Sequence, residues 1–229
     1  LWNVKRIHPE ALGPFDYQRE AYTRSLWVME GVTSYYDRYL LVRAGLQQPD
    51  KYLDKLAEEL GKIASIPGRK RQSLEESSFD AWIKLYRPDE NSVNSTISYY
   101  LKGGVVALLL DLEIRSRTGG QRSLDDVMRL FWARFGKLGK GFKDESVQAL
   151  AEEAVGLELG AFFERHVRGR EEVDAARLLA TVGLSLTADR GDDDDKTEPW
   201  LGVTTRADGD ALVGAPVTDG GPALQAGLY

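Results

Sequence analysis

Cysteine is absent from the 229 residues, which excludes disulfides, thiolate metal ligands and a thiol nucleophile. Histidine is scarce. His8 and His166 lie far apart, and neither belongs to an H-E-x-x-H, in which two imidazoles one helical turn apart share a metal. Taken alone, the chain lacks the side chains of a standard catalytic zinc site. No apolar run approaches the roughly 18 residues of a membrane span. The longest, GGVVALLLDL (103–112), meets Asp111 and reads as a buried helix. Basic residues number 30 against 36 acidic, a net charge of −6, so nucleic acid, which needs a basic face, is not an expected partner. The opening LWNVKRIHPEALGPFDY has neither the apolar core of a signal peptide nor an initiator methionine, and reads as the start of a piece of something longer. TGGQRS lacks the Gly-Lys-Ser/Thr end of a phosphate loop, and no Ser-His-Asp arrangement stands out.

What is present is mostly helix-forming. Hydrophobic residues make up 42%, enough for a core. After an irregular stretch (1–19) broken by Pro9, Gly13 and Pro14, a helix is expected over about Glu20–Ala44, ended by Gly45. PDKYLDKLAEELGKIASIPG carries Leu53, Leu56, Leu60 and Ile63 on one face, with Asp50 as the expected N-cap and Pro67-Gly68 as the stop. QSLEESSFDAWIKLY opens with Ser73 and Glu76 in capping-box register. A further helix is expected over about Val93–Arg117, another after the N-cap Ser123, and three more in DESVQALAEEAVG, LGAFFERHVRG and DAARLLATVG. From residue 184 the character changes. LSLTAD alternates like a strand, and RGDDDDKTEP is a solvated linker or, in its Asp-Asp-Asp-Asp-Lys order, a protease-cleavage scar. The segment 199–229 is β-type and too short to close a domain by itself. The expected organisation is thus a mainly α block over 1–183, a strand and acidic linker over 184–198, and a partial β-rich unit over 199–229.

Few residues invite chemistry. In LWVMEGVTSYYDRYL, Glu30 falls just outside the apolar arc of a helical wheel, as a surface glutamate would. A solvated face needs neither Gly31 nor Trp27 beside it, because glycine in a helix costs about 1 kcal/mol relative to alanine. Close backbone approach and a dry wall are the alternative explanation. In SYYLKGGVVALLLD, Tyr100 stands over the small residues Gly103, Gly104 and Ala107. It is either a core tyrosine with a satisfied hydroxyl or a phenol that donates to a developing oxyanion. Lys102 reads as a snorkelling lysine. Asp80 and Trp82 could line a cleft, though packing through Phe79, Ile83 and Tyr86 also explains their segment. Both histidines read as surface or capping residues.

LWNVKRIHPEALGPFDY, LWVMEGVTSYYDRYLLVRAGL, SSFDAWIKLYRPDEN and SYYLKGGVVALLLDLEIR, in that order, resemble the glycyl aminopeptidase family of zinc metallopeptidases, of gluzincin type with a PDZ domain after the catalytic domain. The resemblance covers about residues 1–180. It implies a mainly α fold, the helical second half of a gluzincin-type catalytic domain, followed by the β-rich start of a PDZ-like domain. It implies that Glu30 is the third protein ligand of Zn2+, after two histidines of an H-E-x-x-H lying before Leu1. It also implies that Tyr100, in a Tyr-x-Lys-Gly pattern, stabilises the oxyanion while metal-activated water attacks a peptide substrate. With one ligand of three, the isolated chain is expected neither to retain Zn2+ at the catalytic site nor to be active. PWLGV and GGPALQAGL are similar to a PDZ carboxylate loop and helix, so Leu201, Gly202 and Val203 are the implied contacts for a peptide C-terminus. The alternative function is a non-catalytic helical scaffold carrying a PDZ-type peptide-binding module.

Overall fold

The apolar run 103–112 becomes the axis of the molecule. In the computed structural model, which describes residues 5–172, 174–188 and 199–228, helix α5 (Leu101–Arg117) buries Val105 through Leu112 and Ile114. A helix apolar around most of its circumference needs neighbours on every side. Here they are α1 (Val32–Arg43) with the π-helical turn Trp27–Gly31 leading into it, α2 (Pro49–Ser65), α6 (Leu124–Arg134) and α9 (Ala175–Ala180). Shorter helices complete the block: α3 (Leu74–Phe79), α4 (Ser92–Ser95), α7 (Val147–Val155) and α8 (Gly160–Phe163), which runs into a second π-turn, Glu164–Arg168. The fold is mainly α, as its sequence implies.

Local signals explain many of the ends. Ser73 and Glu76 form the reciprocal capping box of α3, and Ser123 with Asp126 forms another at α6. The N-cap of α2 is Gln48 rather than Asp50, because Pro49 occupies the first helical position, where its missing N–H costs nothing.

Three expected elements are shorter than their periodicity. The helix over 20–44 begins only near Leu26, because Thr23 Oγ1 and the Arg24 amide both donate to Asp144, at 2.6 and 2.8 Å. The segment 72–86 leaves the helix after Phe79 and continues as turns in which Ile83 and Lys84 amides return to the Asp80 carbonyl. Over 93–117 the chain makes a single turn at α4, extends at Thr96 (φ −127°, ψ 157°) and restarts at Leu101. The Ser98 hydroxyl there accepts from the Tyr100 amide at 3.2 Å.

After α9, residues 184–188 form no strand, while Asp189 and the acidic stretch 190–198 lie outside the described residues. An alternating pattern becomes a strand only where a partner edge is available. β1 (Val203–Asp208) and β2 (Ala211–Val217) form an antiparallel hairpin with Val203 opposite Val217 and Asp208 opposite Ala211, followed by α10 (Pro222–Gln225). Asn94 ties this hairpin to the helical block. Its side-chain amide donates to Val217 O at 2.7 Å, and its carbonyl accepts from the Asp219 amide at 2.8 Å.

Where the π-turn crosses the start of α5, glycine meets glycine. A Cβ placed on Gly31 would stand 2.7 Å from the backbone of Gly103, and one on Gly103 3.0 Å from Gly31 Cα. Gly31→Ala is therefore expected to destabilise by about 1–3 kcal/mol through overpacking, despite gaining helix propensity. Gly61→Ala, on the exposed face of α2 with nothing within 4 Å, is expected to stabilise by about 0.5–1 kcal/mol. Urea midpoints at unchanged m-value measure both.

Candidate active site

The Gly31–Gly103 crossing answers why a buried helix keeps Glu30-Gly31. The π-turn Trp27–Gly31 inserts an extra residue into the helical turn, so that the Val32 amide reaches back to Trp27 O. Trp27, 3% exposed, fills the inner side of that turn, edge-on to Phe163 at 6.1 Å, and its amide donates to Ser78 Oγ. Gly31 removes the side chain that would hold α5 away. The turn is therefore pressed onto the start of α5, with Glu30 half-buried at the seam. Its carboxylate makes no hydrogen bond or ion pair with any described residue, and its charge acts on Tyr100. The structure thus brings Glu30 and Tyr100 together from helices some 70 residues apart in sequence.

Tyr100 belongs to a cluster of three phenols. Tyr99, 1% exposed, shares a 2.7 Å hydrogen bond with Tyr86 through their hydroxyls, and its ring stacks on Tyr100 with centroids 4.6 Å apart. Partial burial, the neighbouring Tyr86 phenol and the Glu30 carboxylate push the Tyr100 hydroxyl up to about 12. It is thus fully protonated at neutral pH, as a hydrogen-bond donor must be. Gly103 and Gly104 beneath it receive the π-turn and Ser34.

Phe79, Ile83 and Tyr86 do not bury the segment 72–86 as a packing face. They are 37%, 62% and 57% exposed, because the helix they would line ends at Phe79. Trp82 is also exposed, its indole N–H donating to Ala21 O at 3.3 Å, while Asp80 pairs with Lys84 at 2.8 Å. Tyr22 packs its ring on Phe79 at 5.1 Å. Tyr22, Phe79, Trp82 and Tyr86 are thus all exposed, with Tyr22 and Phe79 in ring contact.

Lys102 is not a snorkelling surface residue. It is 2% exposed and its Nζ has no hydrogen-bond partner among the described residues. His166, on the second π-turn, is half-buried edge-on to Phe162 at 4.9 Å, and burial lowers its titration below the usual histidine range. His8 rests its Nδ1 against Pro9 O at 3.0 Å. Among the described residues no three His, Asp or Glu side chains gather as a metal site. The Glu30 oxygens are hard donors of the kind zinc accepts and are committed to no described neighbour, so this residue fits a metal as one ligand of a larger set.

Leu201 and Gly202 form the loop before β1, and Val203 is its first residue. Gly202, at φ +74°, lies against Gly221, while its carbonyl accepts from Thr218 N at 2.7 Å and Leu201 O from Ala223 N at 2.8 Å. The loop is thus backed by α10, with the Leu201 side chain 66% exposed.

The π-turn and the phenol cluster have no counterpart in a 3.6-residue wheel. The signals that could have exposed them are the glycine pair at 103–104 and the glycine at 31, each too small for its helix.

Comparison with known proteins follows the same geography. Residues 1–106, which hold both Glu30 and Tyr100, match the M61 glycyl aminopeptidase family. A solved structure from Idiomarina loihiensis, described as an aminopeptidase N family protein, superposes on all of this chain with a TM-score of 0.88 at 33% sequence identity. The chain spans 40% of that structure's length. No curated protein matches the chain.

Proposed function

Since the chain belongs to the M61 glycyl aminopeptidase family, we propose that it is part of a zinc-dependent peptidase in which Glu30 is the carboxylate ligand and Tyr100 the oxyanion donor. The observation that carries this reading is the Glu30 carboxylate, unpaired among the described residues, beside the protonated Tyr100 phenol at the Gly31–Gly103 crossing. The remaining two ligands, imidazoles of an H-E-x-x-H, would come from outside these 229 residues. Alone, the chain would then hold one ligand of three, and it is expected to be inactive. Zinc, when bound, would polarise the scissile carbonyl and make water nucleophilic at neutral pH.

The chain's own residues supply position and charge. Tyr99, anchored by Tyr86, holds the Tyr100 ring by stacking, so the hydroxyl is pre-set to donate where negative charge develops on the carbonyl oxygen. Trp27, buried against Phe163, fills the inner side of the π-turn that carries Glu30. The exposed aromatics Tyr22, Phe79, Trp82 and Tyr86 would receive apolar parts of the peptide. Leu201, Gly202 and Val203 would offer backbone amides to a peptide carboxylate in the manner of a PDZ-like loop.

The test uses an enzyme that includes the H-E-x-x-H and this chain. Glu30→Gln is expected to weaken zinc binding by more than about 100-fold, beyond the cost of losing a merely supporting residue, with an unchanged circular dichroism spectrum. Full zinc content and turnover in Glu30→Gln would refute the assignment.

A further inference from the structure

Among the described residues only two buried side-chain polar atoms lack a hydrogen-bond partner, Lys102 Nζ and His166 Nδ1. The lysine is the more costly of the two, since a buried ammonium without an acceptor forfeits its hydration for nothing. The opposite charge that acts on it, Glu76, is already committed. That carboxylate takes Arg170 at 2.7 and 3.3 Å and the Ser73 amide at 2.7 Å. Burial, only partly offset by Glu76, accordingly lowers the Lys102 amine to about 8.

Lys102 lines a cleft of about 250 Å3 between α2, the start of α5 and α9. Leu60, Ile63, Val105 and Leu186 give the cleft an apolar wall, and Glu171 stands on its lining with no ion pair or hydrogen bond to any described residue. We propose that this cleft binds a small aliphatic carboxylate, whose anionic end meets the Lys102 ammonium and whose hydrocarbon body lies along the apolar wall. Two sources share that chemistry. A simple aliphatic acid would use Lys102 and the wall alone, whereas a free aliphatic amino acid would add an ammonium facing Glu171. The site is separate from the Glu30–Tyr100 pair and does not depend on the peptidase reading. It lies two residues along α5 from Tyr100 and next to the Gly103 crossing.

Calorimetric titration of the chain with 4-methylpentanoate, leucine and the neutral analogue 4-methylpentan-1-ol tests this. Saturable binding of 4-methylpentanoate is expected, with no saturable binding of the alcohol. Affinity should fall at least about tenfold in Lys102→Met, the usual consequence of losing a charged hydrogen bond. Tighter binding of leucine identifies the amino acid as the source, and weaker binding identifies the simple acid. An NMR titration of the Lys102 side chain in the unaltered protein, rising from about 8 on saturation with carboxylate, gives the same answer if Lys102→Met does not fold. No saturable binding of either carboxylate, equal binding of the alcohol, unchanged affinity in Lys102→Met, or an unmoved Lys102 titration would each overturn the proposal.

Discussion

Tyr100→Phe, in an enzyme carrying the H-E-x-x-H together with this chain, is expected to retain full zinc content while turnover falls by about 10²–10³-fold, the cost of one lost oxyanion donor. The substitution removes one oxygen and leaves the ring. Tyr99 can still stack on it, and the Tyr86–Tyr99 hydrogen bond is untouched, so the fold has no reason to change. Ground-state binding should move little, because the hydroxyl acts on charge that exists only in the transition state. The loss should therefore appear in kcat with KM nearly constant. A change confined to KM would place Tyr100 in substrate binding instead. Steady-state kinetics with zinc quantified on the same sample separates the two.

Asp111→Ala is expected to destabilise the protein by about 3–5 kcal/mol, the range for removing one partner of a buried charged network. Asp111 is 3% exposed and receives three donors: Tyr35 OH at 2.8 Å, Arg115 Nε at 2.8 Å and the Leu124 amide at 2.6 Å. It joins α1, α5 and the start of α6 at a single carboxylate. Burial first, then the Asp111 charge, drives the Tyr35 phenol far above its ordinary range, so that it stays a donor at every accessible pH. Alanine would strand all three groups, and the buried Leu124 amide has no route to water. Asp111→Asn keeps an acceptor oxygen and should cost less than the alanine variant. Denaturant unfolding of the two variants checks both the magnitude and the order; a loss below about 1 kcal/mol for alanine would mean that the donors find other partners.

Much of the helical block was legible because its signals are local. The apolar face of α2, the Ser73–Glu76 box and the Ser123 cap each lie within a few residues of the boundary they set. Errors arose where a distant partner decided the outcome. Thr23 and Arg24 fit a helix by composition, but Asp144, about 120 residues away, holds them outside it. Asp111 reads as a blemish in an apolar run, yet its meaning depends on Tyr35 and Leu124. Lys102 reads as an ordinary amphipathic lysine, since nothing in Tyr-x-Lys-Gly says that α2 and α9 will cover it.

The site itself was half legible. Glu30 and Tyr100 stand out beside glycines that a solvated or ordinary core helix would not need. The reason those glycines matter is a crossing in which backbone meets backbone, and no single-helix pattern describes that. A 3.6-residue wheel also misplaces Glu30, because the π-turn that contains it adds a residue to the helical turn. The hairpin β1–β2 was legible as β-type, but its attachment through Asn94 was not, since that asparagine sits in a one-turn helix more than 100 residues earlier.

Anomalous scattering at the zinc edge, from crystals of an enzyme that includes both the H-E-x-x-H and these residues, tests the role of Glu30 most directly. The expected result is a zinc peak in bonding contact with a Glu30 carboxylate oxygen, with the Tyr100 hydroxyl facing the same space. A zinc peak coordinated without Glu30, whose carboxylate instead points into solvent, would contradict it.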